Sequence, residues 1–293
     1  MSFFLTGSSG FIGTSFLIIF SNEVVRVSSR GNESKIDDAA VVIHLAGKAH
    51  DLKNTTSSKE YYEINSELTK KIFDAFLESE AKVFITLSSV KAVVDEVEYE
   101  LTEEQAPNPN THFGKSKLLA EEYVLSKEIP EGKRVYVLRP CMIHGPGNKG
   151  NLNLLYKVVS QNIPWPLGAF ENKRSFCSID NLMFIFKELI EREDIPSGIY
   201  NVADDEPLST NELIGLIAQS QNRRPKLWNI SKKFIEGVAS IGDKLHLPLN
   251  TERLHKLTSS YVVSNAKIKT AIGKPLPVSS REGLLKTFKS FNI

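Results

Sequence analysis

The sequence predicts an α/β protein, a doubly wound parallel sheet with a smaller C-terminal cap. Two observations lead to that class. Through about the first 140 residues, brief apolar runs alternate with longer helix-compatible segments, as strands and crossover helices of a parallel sheet do. Beyond Pro146 the alternation ends, and Pro164, Pro166 and Gly168 introduce loops between isolated helices.

Taken in order, Phe3–Leu5, Val24–Val27, Val41–Leu45, Val83–Leu87 and Val135–Leu138 are short and apolar or β-branched, the composition of buried parallel strands. Residues Tyr61–Ser79 and Gly114–Lys127 supply helices between them. In the last third, Ser209 and Glu212 form a capping box, with Leu208 and Leu213 placed as a hydrophobic staple. Ile235, Val238, Ile241 and Leu245 follow as a helical stripe, read as packing on its own domain rather than on a membrane surface. The expected division is a sheet domain over residues 1–147, rejoined near 175–203, and a cap formed by 148–174 and 204–293.

Composition narrows the partners. Among 293 residues, 36 Lys and Arg face 35 Asp and Glu, a net charge of +1, so nucleic acid is not expected. Cys141 and Cys177 are too few for a disulfide framework, and neither they nor the six histidines show metal-ligand spacing. The apolar start is broken by Gly7, Gly10 and Gly13 and lacks a basic lead, unlike a signal peptide. No run reaches the roughly 18 apolar residues of a membrane span. A cytoplasmic protein without membrane insertion or metal is expected.

Gly7, Gly10 and Gly13 form G-x-x-G-x-x-G between the first strand and a helix. Glycines there allow a tight turn and bring backbone N–H groups to a pyrophosphate at the helix N-terminus, the Rossmann mode of dinucleotide binding. The second strand runs into Ser28, Ser29, Arg30 and Gly31, with no acid before Glu33. An acid there accepts from NAD's ribose hydroxyls, whereas Ser29 and Arg30 suit a 2′-phosphate. NADP(H) is favoured and NAD(H) is the alternative.

With these motifs the chain resembles the extended short-chain dehydrogenase/reductases, in the sugar-nucleotide epimerase/dehydratase branch. TGSSGFIG, HLAG (His44–Gly47), LSS (Leu87–Ser89), FGKSK and RPCMIHGPG (Arg139–Gly147) match the family pattern, as do ENKRSFCSIDNL and GIYNVADDEPLS. The resemblance assigns Gly7, Gly10, Phe11, Ile12, Gly13, Leu45, Ala46 and Gly47 to the cofactor. It gives Ser89 to the substrate oxygen, and Lys117 to the nicotinamide ribose and to lowering the pKa of a neighbouring phenol. The family's YGxSK is FGKSK here, so Phe113 stands where a proton-donating Tyr is expected. Residues four apart share a helix face, so residue 113 and Lys117 point into one cleft. His112 projects about 100° away. Because Ser89, Lys117 and the glycine loop persist, Phe113 reads as an introduced Tyr→Phe change in an active enzyme rather than the mark of a long-silent relative.

The same resemblance puts Asn151, Arg174 and Arg281 at a UDP-sugar, although either arginine equally suits a surface ion pair. The chain looks most like NADPH-dependent 4-reductases acting on UDP-2-acetamido-2,6-dideoxy-hexos-4-uloses for surface polysaccharide. A UDP-hexose or UDP-N-acetylhexosamine 4-epimerase with retained NAD is one alternative, and a silent NADP(H) sensor another. By analogy with the family, a homodimer through Tyr61–Ser79 and Gly114–Lys127 is expected.

Overall fold

The computed structural model describes residues 1–27, 36, 38–48, 57–148, 150–245 and 250–291. The chain opens with β1 (Ser2–Thr6), α1 (Phe11–Ile19), β2 (Val24–Val27) and β3 (Val41–His44). Next, α2 (Ser58–Tyr62) passes through a π-helical turn at Glu63–Glu67 into α3 (Leu68–Glu78). After β4 (Val83–Leu87) come a 3-10 turn at Val90–Ala92 and the short β5 (Glu100–Leu101). They are followed by α4 (His112–Leu125), β6 (Arg134–Pro140), β7 (Met142–His144), α5 (Asn151–Ser160), β8 (Phe176–Ser178), α6 (Ile179–Glu191) and β9 (Gly198–Val202). The remaining elements are α7 (Thr210–Ser220), α8 (Lys232–Leu245), α9 (Thr251–Thr258), β10 (Val262–Val263), α10 (Ala266–Ile272) and α11 (Ser280–Lys289).

Six strands form the expected sheet, in the order β2-β1-β3-β4-β6-β9, with every neighbouring pair parallel. Side chains alternate across it. Phe3, Leu5, Ile43, Ile85 and Leu138 pack with Phe16 of α1 and Leu182 and Phe186 of α6. Phe4, Val42, Phe84, Val135 and Val137 face the other way, onto Phe73 and Phe76 of α3 and Val124 of α4. With apolar residues facing both helical layers, these strands read as continuous hydrophobic runs. β2 departs from the buried strand expected: at the sheet edge, Val24 and Val27 are exposed. The chain reverses direction across the sheet between β1 and β3, which opens a crevice at their carboxyl ends.

Past the sheet, α5, α7 and α11 share a cluster of Leu152, Tyr156, Leu213, Ile217, Leu284 and Phe288. The predicted capping box is present. Ser209 Oγ accepts from the Glu212 N–H at 3.1 Å, and Glu212 accepts from the Ser209 N–H at 2.8 Å. Leu208 and Leu213 lie in the same cluster, as the staple requires. Two expectations need correction. Tyr61–Ser79 is not one regular helix, because the π turn interrupts it. The stripe on α8 packs inward only through Ile235, while Ile241 and Leu245 are exposed. α8 docks through Ile235, Ala239 and Gly242, a seam offset by one position from the predicted one.

Candidate active site

The glycine turn is shaped by contacts that leave no room for side chains. Gly7 has φ +71°, and a Cβ there would stand 2.6 Å from the Ala46 nitrogen. At Gly13 a Cβ would lie 2.2 Å from the Gly7 carbonyl oxygen, so the start of α1 presses directly on the turn. Gly10 caps α1 and donates to the Gly7 carbonyl at 3.1 Å. As at any helix start, the first N–H groups of α1 have no intrahelical partners. This cradle fits the pyrophosphate of a nicotinamide dinucleotide. Phe11 and Ile12 are half-buried in the first turn of α1 and pack on the sheet core.

Leu45, Ala46 and Gly47 continue from β3 along the facing wall of the crevice, held from below by a buried polar chain. The Ala46 N–H donates to Thr6 Oγ1 at 3.0 Å. Thr6 Oγ1 lies 2.8 Å from His44 Nδ1, and His44 Nε2 lies 3.0 Å from Thr69 Oγ1. Thr69 gives its hydroxyl proton to the Asn65 carbonyl at 2.8 Å, so it must accept from His44. His44 is therefore the Nε2–H tautomer, accepting from Thr6 through Nδ1. Burial, reinforced by the charge of Lys117, lowers its pKa to about 3 and keeps it neutral.

Asn65 is the residue that the sequence reading missed. It sits in the π turn, fully buried, and its amide ties three segments together. It accepts from the Lys48 N–H at 2.7 Å and donates to the Lys48 carbonyl at 3.1 Å. It also donates to Ser116 Oγ at 3.0 Å, and Ser116 donates to the Phe113 carbonyl at 2.8 Å. No residue pattern marks Asn65, because the π turn that places it lies inside a predicted helix and periodicity does not reveal the turn.

α4 begins where Thr111 accepts from the Gly114 N–H at 3.1 Å, with Asp95 holding the Asn110 N–H at 2.7 Å. Gly114 is needed because a Cβ would stand 2.3 Å from the Lys91 carbonyl. The start of α4 is thereby pressed against the turn that Ser89 caps. Ser89 is half-buried, and its Oγ accepts from the Lys91 N–H at 3.2 Å. Phe113 is buried, with its ring edge-on to Tyr61 at 6.2 Å. One turn on, Lys117 is buried and donates to the Leu87 carbonyl at 2.8 Å. Its Nζ would be 3.2 Å from a Cβ at Gly47, so the ammonium reaches the crevice wall. Burial lowers its pKa to about 8, partly offset by Glu121. Glu121 is itself engaged by Arg139, with Nε donating at 2.9 Å in a buried pair. His112 is exposed, 3.2 Å from the Tyr62 hydroxyl through Nδ1, on the side predicted for it.

The three residues expected at the sugar nucleotide stand on separate segments, with Arg174 half-buried between the backbones of Leu208 and Tyr261. Arg174 donates to the Ser259 carbonyl at 3.0 Å and the Lys256 carbonyl at 2.8 Å, fastening the C-terminal end of α9. Arg281 on α11 is ion-paired with Glu212 of α7. Asn151 is the exposed first residue of α5. Ser29 and Arg30 lie outside the described residues.

A parallel sheet with a glycine turn leading from β1 into α1 is the fold of a nucleotide-cofactor-binding class. Residues 3–203 match the NAD dependent epimerase/dehydratase family, and the chain belongs to that family. It is 27% identical over 320 residues to UDP-glucose 4-epimerase of Vibrio cholerae, across 99% of this chain and 95% of that protein. GDP-6-deoxy-D-mannose reductase of Pseudomonas aeruginosa is 27% identical over 188 residues, or 60% of this chain and 62% of the relative. The structure of UDP-N-acetylglucosamine 4-epimerase from Bacillus cereus superposes with a TM-score of 0.77 at 19% identity, covering 98% of each chain. These relatives are sugar-nucleotide epimerases and a sugar-nucleotide reductase.

Proposed function

We propose that this protein is built as an NADPH-dependent reductase of the C4 ketone of a UDP-4-keto-6-deoxy-N-acetylhexosamine, for surface-polysaccharide sugar synthesis, and that Phe113 disables it. One observation carries the reading. What supports it is that Lys117, Ser89 and the glycine turn are all retained in a chain that has phenylalanine four residues before the lysine. In this reading residues 1–147 with 175–203 hold the cofactor, and 148–174 with 204–293 close over the sugar nucleotide. The protein works as a homodimer through the Tyr61–Ser79 and Gly114–Lys127 segments.

When bound, NADPH supplies a hydride to the sugar C4. Ser89 donates a hydrogen bond to the C4 oxygen and steadies its developing charge. Lys117 holds the nicotinamide ribose, and its ammonium would stabilise a phenolate at position 113. A tyrosine there would pass its proton to the C4 oxygen, and Phe113 keeps the ring while lacking that proton. Losing such an acid typically costs about 100- to 10,000-fold in rate and leaves binding largely intact. NADPH is preferred in this reading because Ser29 and Arg30 follow β2 where an NAD enzyme carries an acid. The Pseudomonas aeruginosa reductase supports the reaction type.

The test is a paired assay of the chain and its Phe113→Tyr variant with NADPH and the 4-keto sugar nucleotide, followed at the reduced-nicotinamide absorbance. Turnover by the variant alone identifies a disabled reductase. A second reading, a UDP-hexose or UDP-N-acetylhexosamine 4-epimerase, draws on the near full-length match to the Vibrio cholerae enzyme. It predicts that Phe113→Tyr interconverts C4 epimers with no net consumption of cofactor. If neither version turns over although both bind NADPH, an NADP(H) sensor is the remaining assignment.

A further inference from the structure

α8 carries two apolar stripes, and the fold buries only one. The inward seam of Ile235, Ala239 and Gly242 packs toward Trp165, Leu167 and Ile214. The second stripe, Phe234, Val238, Ile241 and Leu245, recurs at spacings of four, three and four, which aligns it along one side of the helix. Phe234, Ile241 and Leu245 are 62%, 55% and 63% exposed, and Trp228, just before the helix, is 57% exposed. Four large apolar side chains within one short segment exceed the scattered exposure normal for a protein surface.

The charges around this stripe point to what covers it. From Arg223 to Leu245 there are six cations, Arg223, Arg224, Lys226, Lys232, Lys233 and Lys244, against Glu236 and Asp243. This gives a local balance of +4 in a chain whose total is +1. All six cations are exposed, and among the described residues none makes an ion pair. At about 100° per residue, Lys233 and Lys244 lie roughly a quarter turn from the apolar stripe. Glu236 and Asp243 fall on the opposite side. Apolar side chains in the centre, lysines at the edge and acids facing away make up the pattern of a helix lying in a bilayer interface. Lysine stems extend along the acyl boundary while their ammonium groups reach the headgroups, and an indole suits the same depth. A second copy of this face would set +4 against +4, so the charge that favours an anionic surface opposes self-pairing.

We propose that the outer face of α8, with Trp228, docks this protein peripherally on an anionic phospholipid bilayer. The proposal is independent of which sugar the active site takes. The chain has two tryptophans, and Trp165 is buried, so Trp228 is a built-in reporter. The full chain would be mixed with phosphatidylcholine vesicles with and without phosphatidylglycerol, following tryptophan emission and co-sedimentation. The expected result is a blue shift and co-sedimentation with the phosphatidylglycerol vesicles, both reduced by raised salt. The double variant Phe234→Ser/Ile241→Ser should partition roughly tenfold more weakly or worse, and Lys233→Glu/Lys244→Glu should lose the preference for anionic lipid. Both variants alter exposed positions, and unchanged NADPH binding would show that they remain folded. Absence of vesicle binding by the full chain, or equal binding by Phe234→Ser/Ile241→Ser, overturns the proposal. It is also overturned if those substitutions instead abolish a concentration-dependent dimer in sedimentation velocity, because the face would then belong to a second copy.

Discussion

Lys117 donates a hydrogen bond from its ammonium to the Leu87 carbonyl at 2.8 Å, anchoring the end of a buried side chain to the strand that leads into Ser89. The contact fixes the ammonium beside the crevice and takes it out of water. Burial lowers its pKa from 10.5 to about 8.

A depressed lysine penalises the fold while it is protonated in both states, that is, below about pH 8. As pH rises from 8 toward 10.5 the folded state releases its proton first, and that penalty is relieved. Lys117→Met is therefore expected to stabilise the protein at pH 7, by an amount on the order of 3 kcal/mol less the lost hydrogen bond. The advantage should vanish by pH 10.5, as urea midpoints at the two pH values would show. The same variant should lose cofactor affinity at pH 7, as the proposed hold of Lys117 on the nicotinamide ribose requires.

His44 behaves differently on the acid side. Its pKa falls from 6.5 to about 3, so the neutral ring stabilises the fold above pH 6.5 and that stability is lost as pH falls toward 3. Its share of the loss between pH 6.5 and pH 5 is about 2 kcal/mol. His44→Gln should start less stable at pH 7 and then show a smaller acid-dependent decline. An identical decline in both proteins would mean that the histidine is not the group responsible.

Asn65 both accepts and donates, so its two isosteric replacements should fail for different reasons. Asn65→Leu leaves the Lys48 N–H and carbonyl unsatisfied beside a buried hydroxyl, with an expected cost of about 3 kcal/mol. Asn65→Asp keeps the acceptor but loses the donors and buries a charge. It should be worse at neutral pH and recover partly in mild acid, where a protonated carboxyl can donate again. Thermal melts across pH distinguish the two.

Gly13→Ala places a methyl group 2.2 Å from the Gly7 carbonyl oxygen, which forces the turn open. Cofactor affinity is expected to fall by tenfold or more, roughly the effect of 1.4 kcal/mol of misplacement, while the rest of the sheet still folds. Titration of NADPH fluorescence would read it.

Restoring the hydroxyl with Phe113→Tyr should raise turnover by about 100- to 10,000-fold with little change in cofactor affinity. A large change in affinity without turnover would instead mean that position 113 serves packing against Tyr61.

The sheet was legible from residue runs because parallel strands covered on both faces are apolar throughout, as Phe3–Leu5 and Val83–Leu87 are, and because Gly7 and Gly13 mark a turn that only glycine fits. The capping box at Ser209 was readable for a related reason: its partners are three residues apart, and local spacing is what a sequence displays. The face of α8 was misjudged because an apolar stripe identifies a helix without saying which neighbour covers it. Other features depended on distance in the chain. Asn65 meets Lys48 and Ser116, and His44 meets Thr6 and Thr69, through contacts spanning 17 to 51 residues that no local pattern encodes. Residue type at short spacing is enough to give the fold class, the glycine turn and the placing of Phe113 and Lys117 one turn apart on a helix, because none of these needs a distant partner. That His44 is neutral, that the pKa of Lys117 is lowered and that Arg174 binds backbone carbonyls emerge from the folded chain alone, because burial and the geometry of distant partners set each of these.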